Sequence, residues 1–268
     1  MKRTIPAFFA AILLNLSCAK NGITGRSQLS LVSEKELETT AVNQYQSFLS
    51  TSKVVSSTGS KDAEMVKRVG TRIASAITAY YNSKGLSSAL KDYQWEFNLV
   101  DNKEVNAWCM PGGKVVVYTG ILPVTQNEAA LAIVLGHEIT HAVAGHGRER
   151  MSQAMVAQGI QLAGNIALYN DPQAVNIFNS VYGPGAQVGV LLPNSRKQEL
   201  EADHYGLIFA AMAGYNPEEA IPFWQRMAKL SGATGSSAFL SDHPSDEDRI
   251  KKLQELMPEA LKYYQPAR

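Results

Sequence analysis

The chain has 268 residues, of which 45% are hydrophobic and 18% are charged, and its formal net charge is +1. These values exclude an intrinsically disordered chain. They also show no basic excess of the kind that nucleic-acid binding requires, so no nucleic-acid partner is expected. Only Cys18 and Cys109 are present, and no disulfide can hold the fold if Cys18 is lipidated or removed.

The N-terminus is typical of an export signal. Residues 2–3 are basic, an apolar run follows over 5–16, and small residues come next. The run is too short to span a membrane comfortably. The sequence up to Cys18 resembles a bacterial lipobox, in which the cysteine is acylated, although Asn15 stands where Leu is usual. Cleavage after Ala19 by the ordinary signal peptidase is the alternative.

Hydrophobic periodicity then predicts a mainly helical α+β chain with a few short strands. A Ser33–Glu36 capping box opens the first helix. The patterns predict strands at 95–99, 105–110 and 114–119, and helices at about 62–82, 125–144, 148–169, 195–213 and from 217 and 245 onward. We predict a signal peptide at 1–18, a polar tether at 19–32 and one domain at 33–268. The block 148–194 could be a lid, a membrane-surface contact or core.

His137 and His141 stand four residues apart in an apolar stretch that predicts a buried helix. Positions i and i+4 share one helix face, so both imidazoles can reach the same point. Two imidazoles at this spacing suit Zn²⁺, and Glu138 beside them can take a proton from an attacking water. Two helix histidines without a metal are the alternative, which the rarity of the pattern disfavours. We therefore predict one Zn²⁺ per chain.

A catalytic zinc takes three protein ligands and leaves one position open. The candidates for the third ligand are His146, Glu199, Glu201, Asp203, His204 and His243. A metzincin would need a histidine at 147, which is Gly, so that class is excluded. Glu199 and Asp203 have i, i+4 spacing, so Glu199 can bind zinc while Asp203 accepts the N–H of a ligand histidine. Glu201 points away from that face. On spacing alone, a solvated acidic face explains the pair equally well.

Several motifs together resemble metallopeptidase family forty-eight, a gluzincin family. They are His137-Glu138-x-x-His141, Ser195-Arg196-x-x-Glu199-x-x-Ala202-Asp203, His243-Pro244-x-x-x-x-Arg249-Ile250 and the hairpin Asn106-Ala107-Trp108-Cys109-Met110-Pro111-Gly112-Gly113. Residues 22–26 also resemble the tether of the family's LoiP-like lipoproteins. The match extends over about 18–250, and the lack of spanning helices makes the stand-alone LoiP-like group the most similar.

The resemblance implies a zincin-type domain with a small mixed or antiparallel sheet, whose edge strand borders the active-site helix. It implies His137, His141 and Glu199 as zinc ligands and Glu138 as the general base of an endopeptidase. His243 would either donate to the oxyanion or occupy the open zinc position in a resting state, and helix packing is the alternative. The strand at 114–118 would hold the substrate. The residues expected to bind substrate are Asn106, Ala107, Gly113, Lys114, Val115 and Val116.

Export signal and resemblance together predict a bacterial periplasmic protein, anchored at the outer membrane by lipid on Cys18. Its partners would be that membrane and protein or peptide substrates such as misfolded envelope proteins. A chaperone or assembly factor that binds extended chains, with its zinc silenced by a fourth His, is the competing function. Intact Glu138 argues against it, because a binder needs no base. A structural zinc domain is disfavoured by the open coordination position.

Overall fold

A computed structural model describes residues 18–157, 171–182, 195–234, 239–240, 243 and 247–266. The predicted signal peptide lies outside these residues up to position 17. Positions 158–170 and 183–194, which carry much of the possible lid, also lie outside them. Within the described ranges, no helix is both long enough and apolar enough to cross a membrane.

Helices dominate the described chain. They are α1 (Glu34–Thr51), α2 (Lys61–Ser83), α3 (Leu122–Thr125), α4 (Glu128–Val143), α5 (His146–Ala157), α6 (Pro172–Tyr182), α7 (Ser195–Met212), α8 (Ala220–Thr234) and α9 (Glu247–Ala260). Ser33 caps α1 in the predicted capping box with Glu36. The prediction of a mainly helical α+β fold is confirmed.

The strands form a two-stranded hairpin and a four-stranded mixed sheet. They are β1 (Cys18–Lys20), β2 (Ser27–Leu29), β3 (Val54–Val55), β4 (Glu96–Val100), β5 (Ala107–Met110) and β6 (Lys114–Tyr118). The larger sheet has the order β3-β4-β6-β5. Strands β4 and β6 are parallel, and the other neighbours are antiparallel.

Strand β6 is an interior strand, which contradicts the expectation that 114–118 would hold an extended substrate. It pairs with β4 on one side and with β5 on the other. Its backbone groups are therefore committed to the sheet and cannot accept a further strand. The edge that borders α4 belongs to β5 instead.

The sheet separates two apolar cores. Val115 and Val117 face a cluster formed with α2, α4 and α7, whereas Val116 and Tyr118 face a second cluster formed with α1, α5 and α6. Successive side chains of a strand point to opposite faces. Burial on both faces explains why β6 is apolar at consecutive positions.

Residues 18–31 form a packed hairpin at the place of the predicted polar tether. Strand β1 pairs antiparallel with β2. The side-chain amides of Asn21 and Gln28 both donate to the carbonyl of Ala144, at 2.7 and 2.9 Å. The polar composition that suggests a linker therefore serves here to cap the C-terminal end of α4.

Helices α4 and α7 cross with their backbones in contact at a pair of glycines. A Cβ on Gly136 would lie 2.7 Å from the carbonyl oxygen of Gly206, and a Cβ on Gly206 would lie 2.9 Å from the backbone nitrogen of His137. Helix α4 carries His137 and His141, and α7 carries Glu199. This crossing therefore sets the separation between the histidines and the glutamate.

Candidate metal centre

Helices α4 and α7 bring three predicted ligands to one point. The Nε2 atoms of His137 and His141 lie 3.1 Å apart. From α7, the Oε1 atom of Glu199 lies 3.2 Å from Nε2 of His141, and its Oε2 atom lies 3.3 Å from Nε2 of His137. The three side chains therefore meet between the facing surfaces of the two helices.

His243 joins this cluster from the segment between α8 and α9. Its Nδ1 atom lies 3.1 Å from Nε2 of His137 and 2.9 Å from Oε2 of Glu199. Its Nε2 atom lies 3.3 Å from Oε1 of Glu138. His243 is therefore within reach of both the predicted ligands and the predicted base.

The geometry of the cluster fits a tetrahedral zinc ion. Ligand atoms about 2.1 Å from zinc lie about 3.4 Å apart at the tetrahedral angle. The ligand atoms of His137, His141, Glu199 and His243 all lie within 4.8 Å of one another. Within the described part of the chain, the buried Oε1 of Glu138 makes no hydrogen bond, since its 3.3 Å contact with Nε2 of His243 does not have hydrogen-bond geometry. Such an atom is suited to a base that acts on a water molecule.

Asp203 orients His137, as the spacing predicts. Its Oδ1 atom lies 3.0 Å from Nδ1 of His137, which favours the tautomer that leaves Nε2 free to bind a metal. Arg249 of α9 donates two hydrogen bonds to Asp203, at 2.9 and 2.6 Å. Its guanidinium also lies 3.5 Å from the ring centre of Trp224. Arg249 had no predicted role, because nothing in the local sequence pattern connects it to α7.

The other candidates for a third ligand lie outside the cluster. The carboxylate of Glu201 is 2.8 Å from Nε2 of His146 and accepts a hydrogen bond of 2.8 Å from Arg26. The Nδ1 atom of His146 lies 2.9 Å from Nδ1 of His141, on the side of that ring away from the cluster. His204 pairs with an acidic residue of α9.

Burial and charge set the ionisation of the cluster. Burial lowers the pKa of His141 well below its usual value, which leaves the ring neutral. Burial also acts to lower the pKa of His137, but hydrogen bonds to Asp203 and Glu199 outweigh it and raise this pKa to about 9. Burial acts to raise the pKa of Glu199, yet the facing histidines lower it well below its usual range. The carboxylates thus favour a positive charge at this point.

Glu138 is in a different environment from Glu199. It is buried, and burial raises the pKa of its carboxyl group, although His243 and His137 act in the opposite direction. A carboxylate with a raised pKa is a better proton acceptor than an exposed one.

The residues predicted to bind substrate separate into two groups. Asn106 and Ala107 lie at the start of the edge strand β5. The other four belong to the turn and the interior strand, namely Gly113, Lys114, Val115 and Val116. The strand order places Lys114, Val115 and Val116 between β4 and β5, where no backbone edge is open to a peptide, while Gly113 in the turn stays a prediction. Lys114 is buried, and its Nζ donates to the carbonyl of Gln94.

Comparisons with known proteins agree on one family. Residues 60–257 match the family model described as Peptidase family M48. The mitochondrial metalloendopeptidase OMA1 of Schizosaccharomyces pombe is 37% identical over 174 residues, 65% of this chain and 50% of that protein. Human OMA1 is 30% identical over 249 residues, 90% of this chain and 46% of that protein. The metalloprotease LoiP of Escherichia coli is 29% identical over 161 residues, 58% of this chain and 60% of that protein.

These relatives correct the predicted location. The OMA1 proteins are mitochondrial and match at higher identity than the bacterial LoiP. The prediction of a bacterial periplasmic protein anchored at the outer membrane is therefore wrong. The lipid on Cys18 was predicted from the resemblance to a lipobox, and it stays a prediction. The expected similarity to the LoiP-like group is likewise weaker than the similarity to OMA1.

The chain spans about half the length of the mitochondrial relatives that it matches. The family model nevertheless covers the whole ligand cluster and the helices that carry it. The prediction of zinc is confirmed, because the family is a zinc metallopeptidase family and the clustered side chains can hold the ion. The motifs, the fold and the comparisons agree that this chain belongs to peptidase family M48.

Proposed function

We propose that this chain is a zinc-dependent endopeptidase that cuts extended polypeptide segments. The observation that carries the proposal is Glu138, a buried carboxylate beside a ligand cluster that fits zinc, whose Oε1 atom makes no hydrogen bond among the described residues and has only the 3.3 Å contact with Nε2 of His243. A bound zinc would polarise the scissile carbonyl and make a water molecule easier to deprotonate. A protein that only binds chains needs no base at this position.

Glu138 acts as general base and then as general acid. Its carboxylate takes a proton from the attacking water and passes it to the nitrogen of the leaving amine. Water is thereby added across the peptide bond, and Glu138 returns to its starting state. His137, His141 and Glu199 hold the metal, while Asp203 keeps Nε2 of His137 directed at it.

The test is casein cleavage by the parent and by Glu138→Gln. Glutamine is nearly isosteric with glutamate but cannot act as a base, so we expect kcat/KM to fall by about two to four orders of magnitude. Zinc content and thermal stability should be unchanged. Removing zinc from the parent with a chelator should give a similar loss, and added zinc should restore the activity. Cleavage by Glu138→Gln at the parent rate would contradict the mechanism.

The outer edge of β5, which pairs with no other strand in the described part of the chain, supports a place for the substrate. The N–H of Tyr118 donates to the carbonyl of Asn106 at 3.0 Å. Along an antiparallel strand, the backbone groups of successive residues point alternately to the paired strand and to the outer edge. Because those of Asn106 face β6, the N–H and C=O groups of Ala107 and Cys109 point to the outer edge. Burial is the largest cause of the raised pKa of the Cys109 thiol, and the negative charge of Glu138 is the second cause. An extended peptide added to β5 therefore passes close to the base.

Cys109→Pro tests this placement. Proline removes the outward N–H, and edge strands tolerate it. The loss of one hydrogen bond should raise KM roughly tenfold, with kcat and zinc content close to the parent values. Cys109→Ala keeps the N–H and is the matched control. A Cys109→Pro enzyme with the parent KM would place the substrate elsewhere.

His243 supports a second candidate function, a protein that binds extended chains and does not cut them. Its Nδ1 atom lies among the ligand atoms, so it can occupy the position that a substrate carbonyl needs. Casein cleavage by the parent that a chelator abolishes favours the protease. Cleavage that occurs only in His243→Ala favours the binding protein.

A further inference from the structure

A chain of hydrogen bonds connects His141 to the N-terminal hairpin. The Nδ1 atoms of His141 and His146 lie 2.9 Å apart. The Nε2 atom of His146 lies 2.8 Å from Oε2 of Glu201. The Nε of Arg26 donates to Oε1 of Glu201 at 2.8 Å. His146 is completely buried, so each of its ring nitrogens requires a partner inside the protein.

Only one arrangement of protons satisfies this chain. A histidine that binds a metal through Nε2 carries its proton on Nδ1, so His141 is the donor and His146 the acceptor. A neutral His146 that accepts at Nδ1 has its proton on Nε2, which it donates to Glu201. An ionised carboxylate can only accept and a guanidinium can only donate. Arg26 therefore closes the chain with every donor matched to an acceptor.

We propose that His146, Glu201 and Arg26 are positioning residues that fix the tautomer and the ring orientation of His141. The arrangement parallels the acidic and arginine side chains that orient the other ligand histidine, with one more imidazole placed between ligand and carboxylate. The inference rests on the proposed zinc ligands and is independent of peptide hydrolysis.

Local structure explains how these residues meet. Gly145 has a φ of 64°, a left-handed conformation that glycine adopts at little cost. The resulting turn between α4 and α5 brings His146 back against His141. Arg26 lies between strands β1 and β2 and also donates to both carboxylate oxygens of Glu149 on α5, each at 2.7 Å. The hairpin is thereby connected to a zinc ligand.

His146→Leu removes both hydrogen bonds of the ring and puts an apolar side chain of comparable bulk in its place. We expect the dissociation constant for zinc to rise about 10- to 100-fold, which is the usual cost of losing such a partner. The measurement is competition with a chromogenic chelator, on protein shown to be folded by circular dichroism. His146→Asn restores an acceptor near the Nδ1 position and should recover most of the affinity.

Ser152→Ala is the matched control on the same helix. Ser152 is buried, and its hydroxyl oxygen accepts a hydrogen bond from the N–H of Leu31. This bond also holds the hairpin, but it is not part of the series of hydrogen bonds that reaches His141. This variant should lower the melting temperature and leave zinc affinity unchanged. Protein loaded with Co²⁺ gives a second measurement, because its visible spectrum depends on ligand geometry. The spectrum should shift in His146→Leu and return in His146→Asn.

A folded His146→Leu protein that binds zinc with the parent affinity would overturn the proposal. Equal weakening by His146→Leu and His146→Asn would also overturn it, since the acceptor would then be irrelevant. If His146→Leu does not fold, Glu201→Ala gives the same test with an expected loss of about tenfold. Parent-like zinc binding by His141→Ala would instead refute the ligand set.

Discussion

Gly136→Ala tests whether the crossing of α4 and α7 sets the geometry of the metal site. The added methyl would lie 2.7 Å from the carbonyl oxygen of Gly206 and 3.3 Å from its Cα. Ordinary contacts between such atoms are about 3.5 Å, so the two helices must separate by roughly half an ångström or more. A backbone atom cannot turn aside as a side chain can.

The displacement acts directly on the ligands, because His137 and His141 are on one helix and Glu199 is on the other. Their contacts of 3.3 and 3.2 Å would lengthen by more than the roughly 0.2 Å that zinc sites tolerate. Overpacking of this kind costs about 1–3 kcal/mol. If metal binding must restore the parent geometry, the dissociation constant for zinc should rise roughly 10- to 100-fold.

Gly70→Ala is the control for overpacking without displacement of the ligands. Its methyl would meet the ring of Phe97 at 2.2 Å, on the side of α2 that faces β4. We expect it to lower the free energy of unfolding and to leave zinc affinity unchanged. Chelator competition and urea unfolding of both variants provide the comparison. Parent zinc affinity in a folded Gly136→Ala protein would refute the view that this crossing positions the ligands.

Three further predictions concern single side chains. His243→Ala should raise the cleavage rate if the imidazole fills the fourth zinc position at rest. A rate about a hundredfold lower would show that His243 donates to the oxyanion. An unchanged rate would show that His243 serves only in packing. Glu199→Ala should abolish tight zinc binding in metal analysis, whereas Glu201→Ala should retain the metal with weaker affinity; the reverse order would exchange their roles. Burial, followed by the charge of Glu34, raises the pKa of Glu38 to about 7. Its folded pKa lies above the unfolded value, so stability is lost as the pH rises through 7. Glu38→Gln should therefore be more stable than the parent by about 1 kcal/mol at pH 8, after allowance for partial exposure, and equal to it at pH 4, measured by urea unfolding.

The sequence by itself determined what depends on the period of a single helix. Helix geometry is fixed within one turn, so i, i+4 spacing put His137 beside His141 and Glu199 beside Asp203 before any packing was known. The same period separated Glu199 from Glu201. These local relations, with the motifs that contain them, were sufficient to predict the fold class, the family and the metal.

Tertiary structure alone decided what depends on contacts between distant segments. Strand β6 is apolar at consecutive positions from Val115 to Val117 because both its faces are buried, and that pattern is the same for an interior strand and an edge strand. Only the parallel pairing of β4 with β6 leaves β5 at the edge beside α4. Arg249 and Arg26 lie far along the chain from the carboxylates they bind, and no local periodicity relates them. Such pairings are selected by the packing of whole helices, which is why the two arginines of these networks become visible only in the folded chain.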